Sequence, residues 1–497
     1  MAADPIDYSR KWYVFAGVAM GIFLTTIDGS IVNVALPTLV RELDTHLPTV
    51  QWVVLAYLLA LGTLMLSMGR LGDMIGKKSI YVTGLVIFTL GSVLCGLAPN
   101  VYWLIGFRVL QAIGGSMIMA LGMALVTESF PPSERGRALG LTGSMVSIGI
   151  VLGPTVGGFI LSALSWRWIF FVNLPVGIVG TLIAIRSIPA RPWPAGASQD
   201  GQPAGRQRFD LVGALTFFAG LLAVLLAMTL GQDTGFGDTR VLLLLAGGVA
   251  VLAGFVAIER RVAQPMLDLG LFRNRLFSVN LTSGLMTFIS MSGTIFLIPF
   301  FLQGVLGYEP RQMGLLMATV PLAVGTVAPL SGALSDRVGT RPIAVAGLAV
   351  LLAGFLSLTT ITTNLTPLGY ILRFLPVGIG LGLFQSPNNS AVMGTVPRER
   401  LGIASGLLSI TRIAGQTTGI ALLSALWAAR VAVHYGAPLP EGATAAPPAA
   451  QVAGLHDNFV VIAGLITFAL LLSTWALVRE RRGAGRRQET DPKGFVP

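Results

Sequence analysis

The chain has 497 residues, 54% of them hydrophobic and only 11% charged, and a mean hydropathy of +0.77. Soluble domains carry about 25% charged residues, so this deficit excludes a chain that mostly meets water. A net charge of +11 would suggest nucleic acid only if the positions of the basic residues were ignored; those positions point to a lipid bilayer instead.

Crossing the hydrocarbon takes about 20 apolar residues in a helix. Fourteen apolar stretches follow one another near 13–36, 51–69, 80–98, 101–126, 138–161, 168–187, 210–230, 240–257, 277–305, 312–334, 342–360, 366–394, 402–427 and 459–478. The runs are continuous and do not alternate every second residue, which predicts helices and not the strands of a closed barrel. The first run is long and lacks a small-residue cleavage site behind a short core, so it is expected to be a retained helix. Of the 33 Lys and Arg, 25 fall on the side of both termini. Five fall on the other side (Arg41, Arg167, Arg240, Arg311, Arg430) and three within spans (Arg108, Arg373, Arg412). This asymmetry predicts a multi-pass protein of the inner (cytoplasmic) membrane with both termini cytoplasmic.

The first span carries Asp28, in LTTIDGSIVNVALP, the only acid well inside any of the fourteen stretches. An ionised carboxylate in hydrocarbon is costly and marks a functional site, here one suited to binding and releasing a proton. Asn33 follows it. The loop after the second span reads GRLGDMIGKK, where glycines permit a tight turn and Asp73 sits beside Arg70, Lys77 and Lys78. Asp73 could cap a helix end or hold a cation in one conformation only. The fourth span carries Arg108, with Gln111 and Gly115 at i+3 and i+7 on one helical face. At 1.5 Å per residue, Asp28 and Arg108 both lie roughly 10–12 Å below the outer face, so they are plausible partners. The fifth span reads GIVLGPTVGG. Gly149, Gly153 and Gly157 recur every fourth residue and let a neighbouring helix come close, while Pro154 removes a backbone donor.

A weak internal repeat relates the two ends of the chain. Asp73 matches Asp336 at an offset of 263, and Arg108 matches Arg373 at 265. Pro132, Glu134 and Arg135 match Pro397, Glu399 and Arg400, also at 265. The expected layout is a six-helix bundle over 1–187, a linker over 188–209, two inserted helices over 210–275, a second six-helix bundle over 276–478 and a tail over 479–497. An external loop over 428–458 lies within the second bundle and, like the linker, is rich in Pro, Gly and Ala and expected to be flexible. Cys95 is the only cysteine, which excludes an intrachain disulfide. His46, His434 and His456 fall in outer loops, far apart, and offer no metal-ligand spacing, so neither metal nor cofactor is expected.

Together these segments resemble the major facilitator superfamily, and within it the fourteen-span drug:proton antiporters. GRLGDMIGKK is similar to the superfamily's signature loop, and SGALSDRVGTRP to its echo in the second half. LIGFRVLQAIGGS resembles the proton-coupling motif of helix 4, and GIVLGPTVGG the helix 5 motif associated with export. TTIDGSIVNVALP and WRWIFFVNLPVG resemble patterns of the fourteen-span branch. The resemblance covers nearly the whole chain. It implies an all-α membrane protein with the major facilitator fold, two six-helix bundles plus two inserted transmembrane helices, rocking about a central cavity. It also implies that Asp28 binds the proton and Arg108 tunes it. Gly69, Asp73, Gly76, Lys77 and Lys78, with Asp336 and Arg337 in the second half, would form the gate. Gly149, Gly153, Pro154, Gly157 and Gly158 would form the helix 5 interface.

The implied function is proton-coupled efflux of small amphiphilic compounds, with no catalysis and no nucleic-acid partner, and a monomer is expected. Some fourteen-span relatives that export cations carry further acids in second-half spans. Here Asp336 and Glu399 fall in loops, which fits monocations, neutral amphiphiles or anions better than dications. Asn33, Gln111, Gln303, Gln385, Asn388, Asn389 and Gln416 are the candidate polar contacts in the cavity, unless they join helices together. An exporter of lipids or envelope precursors on the same fold is the alternative, and an importer a more distant one. A membrane enzyme would need a nucleophile or metal constellation that the residues do not offer.

Overall fold

The computed structural model describes residues 10–131, 134–189, 211–262, 269–396, 401–437 and 442–490. Helices dominate, and no strand occurs among these residues. In order they are α1 (Lys11–Glu42), α2 (Leu47–Val50), α3 (Trp52–Ile75), α4 (Lys77–Gly96), α5 (Val101–Ser129), α6 (Arg135–Ala163), α7 (Trp168–Phe171), α8 (Asn173–Ser187), α9 (Leu211–Thr234), α10 (Thr239–Glu259), α11 (Arg275–Phe300), α12 (Pro310–Met317), α13 (Thr319–Val338), α14 (Thr340–Leu358), α15 (Pro367–Gly394), α16 (Leu401–Tyr435) and α17 (Pro448–Thr490). Three spans are each broken into a short and a long helix: α2 with α3, α7 with α8, and α12 with α13. Thirteen apolar helical stretches are long enough to cross a membrane, and the apolar part of α9, Leu215–Gly231, is shorter. At 24 residues, α9 as a whole is roughly 36 Å long, enough for a fourteenth crossing.

The helices pack as two bundles of six spans with an inserted pair. In the first bundle α1 packs on α5, α6 and α8, and α5 also packs on α3 and α4. In the second, α11 packs on α16 and α17, and α15 packs on α13 and α14. The turn between α3 and α4 is made by Gly76 at φ +107°, and that between α13 and α14 by Gly339 at φ +95°. Only glycine adopts such backbone without strain. These two glycines are 263 residues apart, so the internal repeat read from charges recurs as the same left-handed joint.

We call the side where α1 begins and α17 ends the terminal face, and the opposite side the distal face. Toward the distal face the bundles press together. A methyl group at Gly314 of α12 would run into the Pro154 carbonyl of α6, and one at Gly158 would lie 3.0 Å from the Gly314 Cα. On the terminal face, among the described residues, three ion pairs each stay within one bundle. Lys11 holds Glu134 at 2.7 Å, Lys77 holds Glu128, and Arg341 holds Glu480 at 2.5 Å.

The segment 428–458, expected as a flexible loop, is largely helical. α16 continues to Tyr435 and α17 already begins at Pro448. Buried side chains organise it: Trp427 Nε1 donates to the Gln451 carbonyl at 3.1 Å, and Gln451 Nε2 donates to the Ala446 carbonyl at 2.7 Å. The Pro and Ala that read as linker composition serve as a helix start and as small packing residues. Residues 438–441 lie outside the description, as do 190–209 of the expected linker and Pro132, Pro397, Glu399 and Arg400 of the repeat.

Candidate functional site

Asp28 sits in the middle of α1 with no solvent exposure, and Arg108 of α5 is 1% exposed. Arg108 Nη1 donates to Asp28 Oδ2 at 2.6 Å. Two further donors reach the other carboxylate oxygen: Gln111 Nε2 at 2.8 Å and Asn173 Nδ2 at 2.9 Å. Ser92 Oγ on α4 accepts from both amides, at 2.6 and 3.2 Å. The guanidinium is held on its other sides by the Val53 carbonyl (3.0 Å from Nε), by Gln111 Oε1 (2.6 Å from Nη1) and by the Tyr57 ring, 4.0 Å from Cζ. A charge this deep in hydrocarbon needs such a set of acceptors, because no water replaces them.

Five helices meet here, and small residues let them. A methyl group at Gly91 of α4 would sit 2.8 Å from the Gln111 Cα, and one at Gly177 of α8 would run into Thr89 of α4. Without side chains at these positions, α4 can lie against both α5 and α8 and bring Ser92 to Gln111 and Asn173. Among the described residues, two polar atoms of the cluster have no partner: Asn173 Oδ1 and the Tyr57 hydroxyl. The Asp28 carboxylate thus faces donors, while a buried acceptor on Asn173 stands unused beside it.

The other expected site residues are distributed more widely. Gly149, Gly153 and Gly157 face α1: a methyl at Gly149 would lie 3.0 Å from the Thr26 Cβ, one at Gly153 would run into Ser30 Oγ, and one at Gly157 would lie 2.8 Å from Ile31. Gly158 and the Pro154 carbonyl face α12 of the other bundle. The helix 5 motif therefore serves two interfaces at once. Lys77 pairs with Glu128, and Lys78 Nζ donates to the Ile185 carbonyl at 2.7 Å. Gly69 is half-buried near Ala120 and Arg337 is exposed, while the side chains of Asp73 and Asp336 lie outside the described residues.

Gln111 belongs to the Asp28 cluster. Asn33 Nδ2 bonds back to the Gly29 carbonyl at 3.1 Å. Gln303, Gln385, Asn388, Asn389 and Gln416 are not brought together by any hydrogen bond among the described residues. Gln303 lies in a wide helical turn, Phe301–Val305, with its Oε1 unpartnered; Asn388 is buried and Asn389 exposed. His434 is not isolated in a loop: its Nε2 lies 2.8 Å from Asp457 Oδ2, which also accepts from Arg430 Nε at 2.5 Å. No group of three His, Cys, Asp or Glu that could hold a metal occurs among the described residues.

Sequence reasoning missed Asn173, Ser92 and Tyr57. Asn173 stands inside WRWIFFVNLPVG, a segment already singled out, and a polar amide in an apolar run was the available signal. Ser92 and Tyr57 carry none, since neutral polar residues are common in membrane helices.

A family model described as Major Facilitator Superfamily matches residues 18–420 and 281–496. The chain is 34% identical over 423 residues to the riboflavin transporter RibZ of Clostridioides difficile, covering 84% of this chain and 89% of the relative. It is 32% identical over 458 residues to the multidrug transporter protein MdtP of Bacillus subtilis, covering 90% and 82%. Among solved structures, a bacterial homolog of the human lysosomal transporter Spinster superposes with a TM-score of 0.64 at 16% identity. That match covers 96% of this chain and 98% of the other.

Proposed function

This chain belongs to the major facilitator superfamily and is a multi-pass membrane transporter, not an enzyme; from that premise we propose that it exports small amphiphilic compounds in exchange for protons. The terminal face is cytoplasmic by the distribution of basic residues. Contact between the bundles toward the distal face makes the described conformation the one closed to the outside. A relative named as a multidrug transporter supports the substrate class, and a relative named as a riboflavin transporter brings flavins into the range to be tested.

One observation carries the proton coupling: a fully buried carboxylate that accepts three N–H groups, one of them from an equally buried arginine. A proton added to Asp28 turns one acceptor oxygen into a donor, so one of the three N–H groups must let go. Asn173 can accommodate the change. Rotating its amide by half a turn withdraws Nδ2 and presents the unpartnered Oδ1 to the new O–H. Arg108 then keeps Val53, Gln111 and the Tyr57 ring but loses its counter-charge. An uncompensated buried charge is strongly unfavourable. Proton binding therefore changes the relative stability of the conformations, which is what coupling to a substrate requires.

Among the described acids of the second bundle, Glu309 immediately precedes α12, Asp457 pairs with Arg430 and His434, and Glu480 pairs with Arg341, whereas Arg412 lies within α16. That distribution favours neutral, monocationic or anionic substrates over dications. The test is export of a fluorescent amphiphile from proteoliposomes with an imposed pH gradient. Export should follow the gradient and stop when a protonophore collapses it. Export unchanged by collapse would overturn the antiport reading.

A further inference from the structure

The inserted helices α9 and α10 carry no part of the Asp28 cluster, yet they are not loosely appended. α9 lies along the seam between the bundles, packing on α3 of the first and α16 of the second. Phe217, Leu221, Leu225 and Thr229 recur every fourth residue and so share one face of α9. Leu221 and Leu225 are buried in the same apolar core as residues of both bundles. Phe217 and Leu221 also line a small apolar cleft with Leu59, Gly62, Ile410 and Ile413, so this face of α9 touches both sides of the seam. α10 packs against α9 and turns its remaining surface outward, with Leu243 at 68% exposure.

Toward the distal end of this seam one side chain ties three units together. Gln51, which precedes α3, has no exposure. Its Nε2 donates to Thr229 Oγ1 of α9 at 3.1 Å, and its Oε1 accepts from Ser424 Oγ of α16 at 2.8 Å. Ser424 is also fully buried. The amide thus uses both ends at once: one for the second bundle and one for the inserted pair. Thr229 Oγ1 donates its own hydrogen to the Leu225 carbonyl at 2.9 Å, which leaves its lone pairs for Gln51. Opening the distal face must part α3 from α16, and the Gln51–Ser424 bond lies across that line.

We propose that the inserted pair is a lateral clamp on the bundle seam, and that Gln51, Thr229 and Ser424 form its latch, stabilising the distal-closed state. The proposal rests on the alternating-access reading above. Gln51 acts here as a positioning residue: it sets the balance between conformations and makes no contact with Asp28. α9 supplies the third member so that the closed seam is held from the lipid side as well as from within.

The latch is tested by pulsed-dipolar distance measurement on full-length protein in lipid nanodiscs, with spin labels on Tyr102→Cys and Asn364→Cys. Both positions are exposed, one in the first turn of α5 and one in the turn between α14 and α15, while Cys95 is buried and stays unlabelled. Acidification should add a longer distance to the distribution. At a pH where both populations are present, Gln51→Ala, which removes both bonds, should raise the ratio of long to short about tenfold. Thr229→Val and Ser424→Ala should each raise it about threefold, the scale of one hydrogen bond between membrane helices. Adding Thr229→Val to Gln51→Ala should change nothing further, because the second change removes a bond already lost. If acidification adds the longer distance but the variants leave the ratio unchanged, the latch is wrong and the transport cycle stands. If no second distance appears under any pH or substrate, alternating access fails and the latch with it. Thr229→Val preserves side-chain shape, so it carries the test should Gln51→Ala not fold.

Discussion

The two bundles carry the same joint and opposite chemistry. Gly76 and Gly339 make matching left-handed turns 263 residues apart. Arg108 and Arg373 match at nearly that offset, but their surroundings differ completely. Arg108 is buried on a carboxylate, a glutamine amide, a backbone carbonyl and a tyrosine ring. Arg373 is half-buried and bonds within its own bundle, to Thr360 Oγ1 at 3.1 Å and to the Gly369 carbonyl at 3.2 Å. The same offset carries Asp28 to Met291–Gly293 of α11, where there is no acid; Gly293 instead lies against Leu423 of α16. A repeated scaffold thus keeps the same left-handed joint, while among the described residues only the first bundle holds an acid at its centre.

Arg108→Leu probes this contrast at its strongest point and should have the largest effect. It leaves Asp28 buried with two neutral donors, and removing one partner of a buried pair costs about 3–5 kcal/mol. Thermal unfolding in detergent should show the loss, and transport should vanish. Gly158→Leu comes next. The side chain has no room against Pro310 and Gly314, and overpacking costs typically about 1–3 kcal/mol. Since that contact belongs to the closed distal face, the variant should raise the share of the longer distance between labels at Tyr102→Cys and Asn364→Cys rather than unfold the bundle. Asn173→Leu should slow proton-driven export about tenfold while leaving substrate binding, read by fluorescence quenching, within about twofold, because it removes one bond to Asp28 and the spare acceptor. Arg373→Gln should do least, changing export less than about threefold, the scale of one hydrogen bond between membrane helices. An effect of Arg373→Gln as large as that of Arg108→Leu would erase the asymmetry between the bundles.

Much of the fold was readable because hydrocarbon imposes a simple rule on sequence. Spans show as long apolar runs, and Asp28 and Arg108 show because charges there are costly. The breaks at Gln51, Val172 and Ala318 that split three spans were not readable, since an apolar run looks the same across a short helical step. The segment 428–458 misled for the reverse reason: composition suggested a linker, but Trp427 and Gln451 fold it into two helix ends. The site itself was half legible. Its charged pair announced itself, whereas Asn173, Ser92 and Tyr57 arrive from three other helices, and no local pattern marks neutral residues that converge only in the packed bundle. The role of α9 was invisible for the same reason, because Gln51, Thr229 and Ser424 are far apart in the chain.

Whether Asp28 is the proton carrier is decided by substrate-induced proton movement in proteoliposomes with an entrapped pH-sensitive dye, wild type against Asp28→Asn, over a panel of cationic, neutral and anionic amphiphiles. Proton flux is expected in the wild type with some of these compounds and none with Asp28→Asn, although the variant still binds them. Equal proton flux in the two proteins would contradict that role.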